Sequence, residues 1–420
     1  MRAERLYIHF AGRLVGQLTL LDSMRLQFEY ASAWRESAAA FPISISLPLD
    51  GDFEPAAGGK FFGNLLPEGN VRLSICRTLG ISAENDFALL KAIGGDCAGA
   101  LTITTQKSPP RQSAAPAFQE VTAEQLSAWS VGAPAAFSAV TGRGGIRLSL
   151  AGAQDKLPVL LNDGRLCIPM GSTPSTHLLK FASPLYSHLP ENETLITMLA
   201  KAVGLPVAEI VLYPTSRARV ALITRYDRIH DQRGVWRLHQ EDFCQALGLS
   251  AACKYEQEGG PGFGHCADIL RAHSSFPLID LQQFIQWALF NLLIGNADAH
   301  GKNLSLLHGS SGALRLAPFY DLVCTRNYAR LSRDLAMRFG GTADPGKVTL
   351  RQLEAFAAAV KVNAATVFVT AERLCDQLTA VLPESVREFR ERFGGSPVLE
   401  RIPPVIRKQI RWLRQQLQQA

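Results

Sequence analysis

The sequence predicts an α+β fold in which sheet-forming and helix-forming stretches are largely segregated along the chain. Three observations carry this. Short runs that alternate apolar with polar residues, or are rich in β-branched ones, crowd the first part: 6–10, 18–20, 26–30, 43–47, 100–104, 175–181, 210–212 and 220–224. Apolar residues recur at helical spacing over 350–360, 365–382 and 406–417. Between these lies 281–294, apolar almost all round through Phe284, Ile285, Trp287, Leu289, Phe290, Leu292 and Leu293, as suits a helix inside a core.

The 420 residues suffice for two or three domains and a large buried core. With 47% hydrophobic and 19% charged residues, wholesale disorder is excluded. The net charge of +6 is compatible with acidic partners or nucleic acid and specifies neither. Eight cysteines form no Cys-x-x-Cys pair, which leaves no zinc-knuckle or dithiol motif, and scattered thiols fit a reducing cytosol. The first ten residues carry an acid and a His where a signal peptide needs an apolar run, and no stretch approaches the roughly 18 apolar residues of a membrane span. The expected location is cytoplasmic, with no membrane partner.

In order, residues 1–105 read as a β-rich unit, with helices opening near Pro67 and over 86–92. Residues 106–134 shift to Pro, Ser, Ala and Gln and are expected to be an exposed, flexible linker. A second sheet region follows over 135–240. It opens with Gly142, Gly144, Gly145 and Gly152 among small and basic residues, a pattern that fits a β-turn as well as a loop whose N–H groups approach phosphate. The strand over 175–181 carries Lys180, about thirty residues on, where kinases keep the lysine that pairs nucleotide phosphates. A helical pattern over 194–203 follows Glu193, which either pairs with Lys180 or favours the helix N-terminus. Residues 241–420 are expected to be mainly helical. No chemistry is read from Lys254-Tyr-Glu or from the run Gly259 to Gly262. Arg401, Arg407, Lys408, Arg411 and Arg414 near the end fit a solvated helix face, with contact to DNA the less favoured reading.

The chemistry concentrates after the apolar helix. Gly295 is placed to end it and to deliver the loop 296–303, and a hairpin over 304–316 leads on to Asp321. Asp298 and Asn303 stand five apart, the spacing of a protein-kinase catalytic loop, in which the Asp receives the substrate hydroxyl proton and the Asn holds magnesium. Two carboxylates with an Asn suit that hard cation better than zinc. A metal hydrolase using His300, Asp298 and Asp321 lacks a second histidine at ligand spacing.

With these residues laid out, the chain resembles the HipA family of serine/threonine kinases, toxins of bacterial toxin–antitoxin pairs. The matching pieces occur in family order: Phe62 to Glu68, Ile93 to Ala100, Ser149 to Lys156, Ser175 to Lys180, His239 to Asp242, Lys254 to Glu256 with Gly259 to Gly262, Asn296 to Asn303 and Pro318 to Asp321. The resemblance implies a protein-kinase-like bilobal core, with a mixed α/β N-lobe and an all-helical C-lobe, behind a β-rich N-terminal subdomain. It implies ATP and Mg2+ as cofactors. Ala151, Gly152, Ala153, Gln154, Asp155 and Lys156 would form the phosphate loop, and Lys180 would hold the phosphates. Glu241, Asp242 and Phe243 would meet adenine at the hinge, and His300, Gly301, Lys302 and Tyr320 would line the site. Asp298 would be the catalytic base, with Asn303 and Asp321 as metal ligands. Asp155 stands where relatives often carry Glu.

The resemblance further implies autophosphorylation of Ser149, whose added charge would eject the loop from the ATP site. It also implies an aminoacyl-tRNA synthetase as substrate, a helix-turn-helix, HipB-like antitoxin as partner, and repression of the operon through operator DNA. The alternative is a catalytically idle co-repressor that only binds antitoxin and operator. The presence of Asp298, Asn303, Asp321 and Lys180 weighs against that.

Overall fold

The computed structural model describes residues 4–418 apart from 22–23, 51, 110–115, 131–155, 183–184, 232–233 and 310–311. The chain divides into two compact units. One comprises residues 1–181, 213–251 and 307–312; the other comprises 182–212, 252–306 and 313–420.

Two larger sheets lie in the first unit. β1 (Arg5–Phe10), β2 (Arg13–Leu20), β3 (Leu26–Tyr30) and β4 (Leu101–Thr104) lie in the antiparallel order β3-β2-β1-β4. Helices α1 (Ser32–Arg35), α2 (Ala57–Gly63), α3 (Gly69–Leu79) and α4 (Asp86–Ile93) fill the span between β3 and β4. The second sheet is built from β5 (Ala117–Glu120), β6 (Lys156–Asn162), β7 (Arg165–Met170), β8 (His177–Lys180) and, beyond the strand β9 (Ile210–Pro214), β10 (Arg219–Thr224), in the order β5-β7-β6-β8-β10. Leu6, Ile8, Phe28, Phe62 and Ile103 share one core with Leu126, Leu157, Val159, Leu179 and Val220, so both sheets fold as one body.

Two expectations change here. Residues 43–47 form no strand, only an isolated bridge between Ser44 and Leu47; the Ile45 N–H, which a ladder would use, donates to the Glu241 carboxylate at 3.2 Å, and the Ser44 and Ser46 hydroxyls bond to Glu241 and the Gln245 carbonyl. The stretch expected as linker is ordered in part. β5 pairs with β7 from Ala117↔Met170 to Glu120↔Cys167, and α5 (Ala123–Trp129) opens with a capping box between Thr122 and Gln125 and buries Leu126 and Trp129.

In the second unit, α6 (Leu189–Ala202) precedes a helical group. After α7 (Phe243–Ala246) of the first unit come α8 (Phe263–His273) and α9 (Pro277–Ile294), then α10 (Leu350–Ala359), α11 (Ala364–Phe393) and α12 (Val398–Leu417). Pro277 opens α9, its missing N–H costing nothing in a first turn. The helix buries every residue from Phe284 to Ile294, as its apolar circumference predicts. Asp280, fully buried in its first turn, accepts from Arg315 at 2.8 and 3.1 Å, from Ser274 Oγ at 2.6 Å and from the Leu316 N–H at 2.9 Å. The basic end of the chain is the outer face of α12: Ile402, Ile406, Ile410 and Leu413 are buried, and Arg414 reaches Asp376 at 2.6 Å. Among the described residues no single helix is long and apolar enough to cross a membrane.

Candidate active site

Gly295 caps α9 with φ +71°, a left-handed turn that glycine adopts without a Cβ penalty. Three bonds then fix the chain that follows. Asn296 N–H donates to the Asn291 carbonyl at 2.9 Å, the Ala297 N–H donates to Thr325 Oγ1 at 2.8 Å, and that hydroxyl donates to the Gly295 carbonyl at 3.0 Å. Asn296 Oδ1 accepts the Asp298 N–H at 3.0 Å. The Asp298 carbonyl accepts from the His300 N–H at 2.9 Å and from Asn303 Nδ2 at 2.8 Å. The loop is therefore closed on itself, and Asn303, with its amide nitrogen committed, keeps its carbonyl oxygen as a potential ligand. Asp298 has a 53% exposed side chain in this buried setting, with His300 Nε2 3.9 Å from Oδ1. Its Oδ1 also accepts the hydroxyl of Tyr255.

The strands β14 (Ser305–His308) and β15 (Leu314–Leu316) lead from this loop to Asp321. The Ala317 N–H donates to the Ser305 carbonyl at 2.8 Å, and Phe319 stacks on Trp287 of α9 with centroids 5.8 Å apart. Tyr320 Oη donates to the Lys302 carbonyl at 2.7 Å, so the residue before Asp321 is bonded directly to the loop 296–303. Asp321 itself has φ +59°. For a side-chain-bearing residue that conformation costs about 1–2 kcal/mol, the kind of strain that collects at functional positions. Beyond it, Asn192 of α6 bonds both ways with the Cys324 main chain, at 3.0 and 2.9 Å. An amide oxygen and a carboxylate are the donors a hard divalent cation takes, with phosphate oxygens and water completing its shell. Among the described residues no three His, Cys, Asp or Glu side chains cluster as metal ligands, so the hydrolase reading gains no ligand set.

In the first unit, Lys180 closes β8 and is 3% exposed. Its register partners are Ala221 on β10 and Lys156 on β6. Residues directly opposite on antiparallel strands share a face of the sheet, so both lysine side chains start from the same side of it. The start of this segment is pinned by charges the sequence did not single out together. Ser175 donates through Oγ to Asp96 at 2.6 Å and accepts from Arg225 at 2.8 Å, while its carbonyl accepts from Arg228 at 3.1 Å. Asp227 accepts from Arg225 Nε and Nη2 at 2.9 and 2.8 Å. Burial alone would raise the Asp96 carboxyl, but Arg237, Arg228 and Arg225 together hold it well below the usual carboxylate range. The signal was present in Gly94-Gly-Asp96 and Arg225-Tyr-Asp-Arg228, polar runs beside buried strands.

At the expected hinge, the side chains turn inward. The strand β11 (Arg228–Asp231) pairs with β12 (Gly234–Arg237), and β13 (His239–Asp242) follows. Glu241, fully buried, accepts from Ser44 Oγ at 2.6 Å and the Ile45 N–H at 3.2 Å and lies 3.3 Å from His308 Nε2. Burial pushes its carboxyl up to about 7, against the lowering by Ser44, His239 and Ile45. Asp242 caps α7 by accepting the Gln245 N–H at 2.8 Å, and Phe243 is fully buried. A nucleotide meeting residues 241–243 would therefore meet main chain. Ser149 and Ala151 to Asp155 lie outside the described residues, so of the expected phosphate loop only Lys156 is described.

Comparison with known proteins agrees along almost the whole length. A model of the HipA N-terminal domain matches residues 6–104, and one of the HipA-like C-terminal domain matches residues 148–382. The putative kinase Y4mE of Sinorhizobium fredii is 40% identical over 359 residues, 84% of each chain. The serine/threonine-protein kinase toxin HipA of Shewanella oneidensis is 35% identical over 368 residues, 84% of this chain and 82% of that one. The HipA structure solved with HipB and operator DNA from that organism aligns with a TM-score of 0.81 at 29% identity, covering 99% of this chain and 97% of the other. The matched fold bears out the expected α+β, kinase-like architecture. The chain belongs to the HipA family of kinase toxins.

Proposed function

We propose that the protein is an ATP- and magnesium-dependent serine/threonine protein kinase acting as the toxin of a toxin–antitoxin pair. The observation that carries the reading is a half-exposed Asp298 carboxylate on a loop whose Asn303 is bonded back to the Asp298 main chain. In this reading Asp298 accepts the proton of the substrate hydroxyl as its oxygen bonds to the γ-phosphorus and the bond to the departing ADP breaks. Lys180 and Lys156 hold phosphate oxygens from β8 and β6. His300, Gly301 and Lys302 line the site, with Tyr320 bracing Lys302. Asn303 Oδ1 and the Asp321 carboxylate would hold Mg2+, which offsets the charge of the phosphates.

The substrate we propose is a serine of an aminoacyl-tRNA synthetase, with autophosphorylation of Ser149 as the off-switch. The partner is a helix-turn-helix antitoxin, and the pair represses its operon in the cytoplasm through operator DNA. Support comes from the family membership and from the neighbour solved with HipB and its operator. Phosphoproteomics after expressing wild type and Asp298→Asn side by side tests this. A synthetase serine and Ser149 phosphorylated only by wild type are expected; no phosphosite that depends on Asp298 overturns the reading.

A further inference from the structure

Lys254-Tyr-Glu and the glycines that follow fold into a brace on the catalytic loop. The Glu258 and Gly260 N–H groups both donate to the Tyr255 carbonyl at 2.9 Å. A Cβ on Gly260 would stand 2.5 Å from the Cys253 carbonyl oxygen and 2.7 Å from that of Tyr255, so this turn closes only around glycine. Two further segments hold the turn. The Gly301 N–H donates to the Lys254 carbonyl at 3.3 Å, and the Glu256 N–H donates to the Ala336 carbonyl at 3.0 Å while the Ala336 N–H donates to Ala297 at 3.1 Å. Glu256 Oε2 accepts the Arg338 N–H at 2.6 Å. Tyr255 is thus fixed from both sides, with its ring edge-on to His300 at 5.1 Å and its hydroxyl on Asp298 Oδ1.

A half-exposed carboxylate on a short side chain samples several orientations unless a donor holds it. Tyr255 supplies that donor, to one oxygen only. Among the described residues Asp298 Oδ2 has no hydrogen bond, which leaves it for an incoming hydroxyl. We propose that Tyr255 is a positioning residue for phosphoryl transfer: by donating to Oδ1 it aims Oδ2 of Asp298 at the attacking hydroxyl. This rests on the kinase reading of Asp298.

Tyr255→Phe keeps the ring against His300 and removes only the hydroxyl. Full-length wild type and variant are assayed with γ-labelled ATP, Mg2+ and dephosphorylated casein, counting label on casein and on the chain itself. The expected result is a kcat lower by roughly tenfold, the worth of one hydrogen bond to a charged group, with KM for ATP and casein within about twofold. In an Asp298→Asn background, Tyr255→Phe lowers the residual rate no further. Hydrogen exchange in the peptide over 296–303 rises in the variant. An unchanged kcat, or an equal loss in both backgrounds, overturns the proposal. If wild type labels neither acceptor, the kinase reading itself fails, and unchanged exchange over 296–303 then rejects the brace separately.

Discussion

Glu241→Gln converts the buried carboxyl of β13 into a pH experiment. The carboxyl is fully buried, and burial raises it from 4.5 to about 7 even though Ser44 and Ile45 donate to it. A group that binds its proton more tightly folded than unfolded stabilises fully below its unfolded value, about 4.5, and that contribution is lost as pH rises through about 7. At about 1.4 kcal/mol per tenfold change in proton affinity, the whole effect amounts to about 3 kcal/mol. His239 and His308 run the other way. Burial pushes them down to about 3 and about 4, with His308 depressing His239 further, so their contributions stand above about 6.5 and are lost as pH falls. Comparing variant with wild type pH by pH cancels the histidines. Gln keeps an acceptor for Ser44 and Ile45 and cannot ionise. Urea unfolding at pH 5, 6, 7 and 8 should show the variant gaining about 2–3 kcal/mol on wild type between the ends of the series. A difference that stays constant with pH would refute the reasoning, because it would mean Glu241 titrates alike folded and unfolded.

Two further substitutions test how the site is held. Asp280→Ala strands Arg315 and the Leu316 N–H at the foot of α9; thermal unfolding should show a loss of about 3 kcal/mol, at the low end for a buried pair because the Arg315 side chain is 35% exposed. Gly260→Ala drives a methyl against two carbonyl oxygens that belong to main chain and cannot swing aside; it should cost about 1–3 kcal/mol and lower label transfer along with Tyr255→Phe.

What the sequence disclosed was whatever depended on neighbours along the chain. The buried helix, its Gly295 stop and the Asp298 to Asn303 spacing are local patterns, and the structure reproduces each in place. Thr122-Ala-Glu-Gln125 was a readable capping box inside a stretch whose composition suggested a linker; the packing of Leu126 and Trp129 made it a helix. Contacts between distant segments were not legible. Tyr255 meets Asp298 from 43 residues away, and Glu241 meets Ser44 from 197 residues away, so one motif had no visible purpose and the inward bonds of the other's carboxylate could not be read. The strand pattern at 43–47 failed for the same reason: the Ile45 N–H serves a distant carboxylate instead of a neighbouring strand.

Transfer of label from γ-labelled ATP by wild type and by Asp298→Asn tests the central claim most directly. The Asn preserves the shape of the loop and removes the proton acceptor, so transfer should fall roughly a hundredfold or more, with nucleotide binding retained. Equal transfer by the two proteins would contradict the assignment of Asp298 as the base.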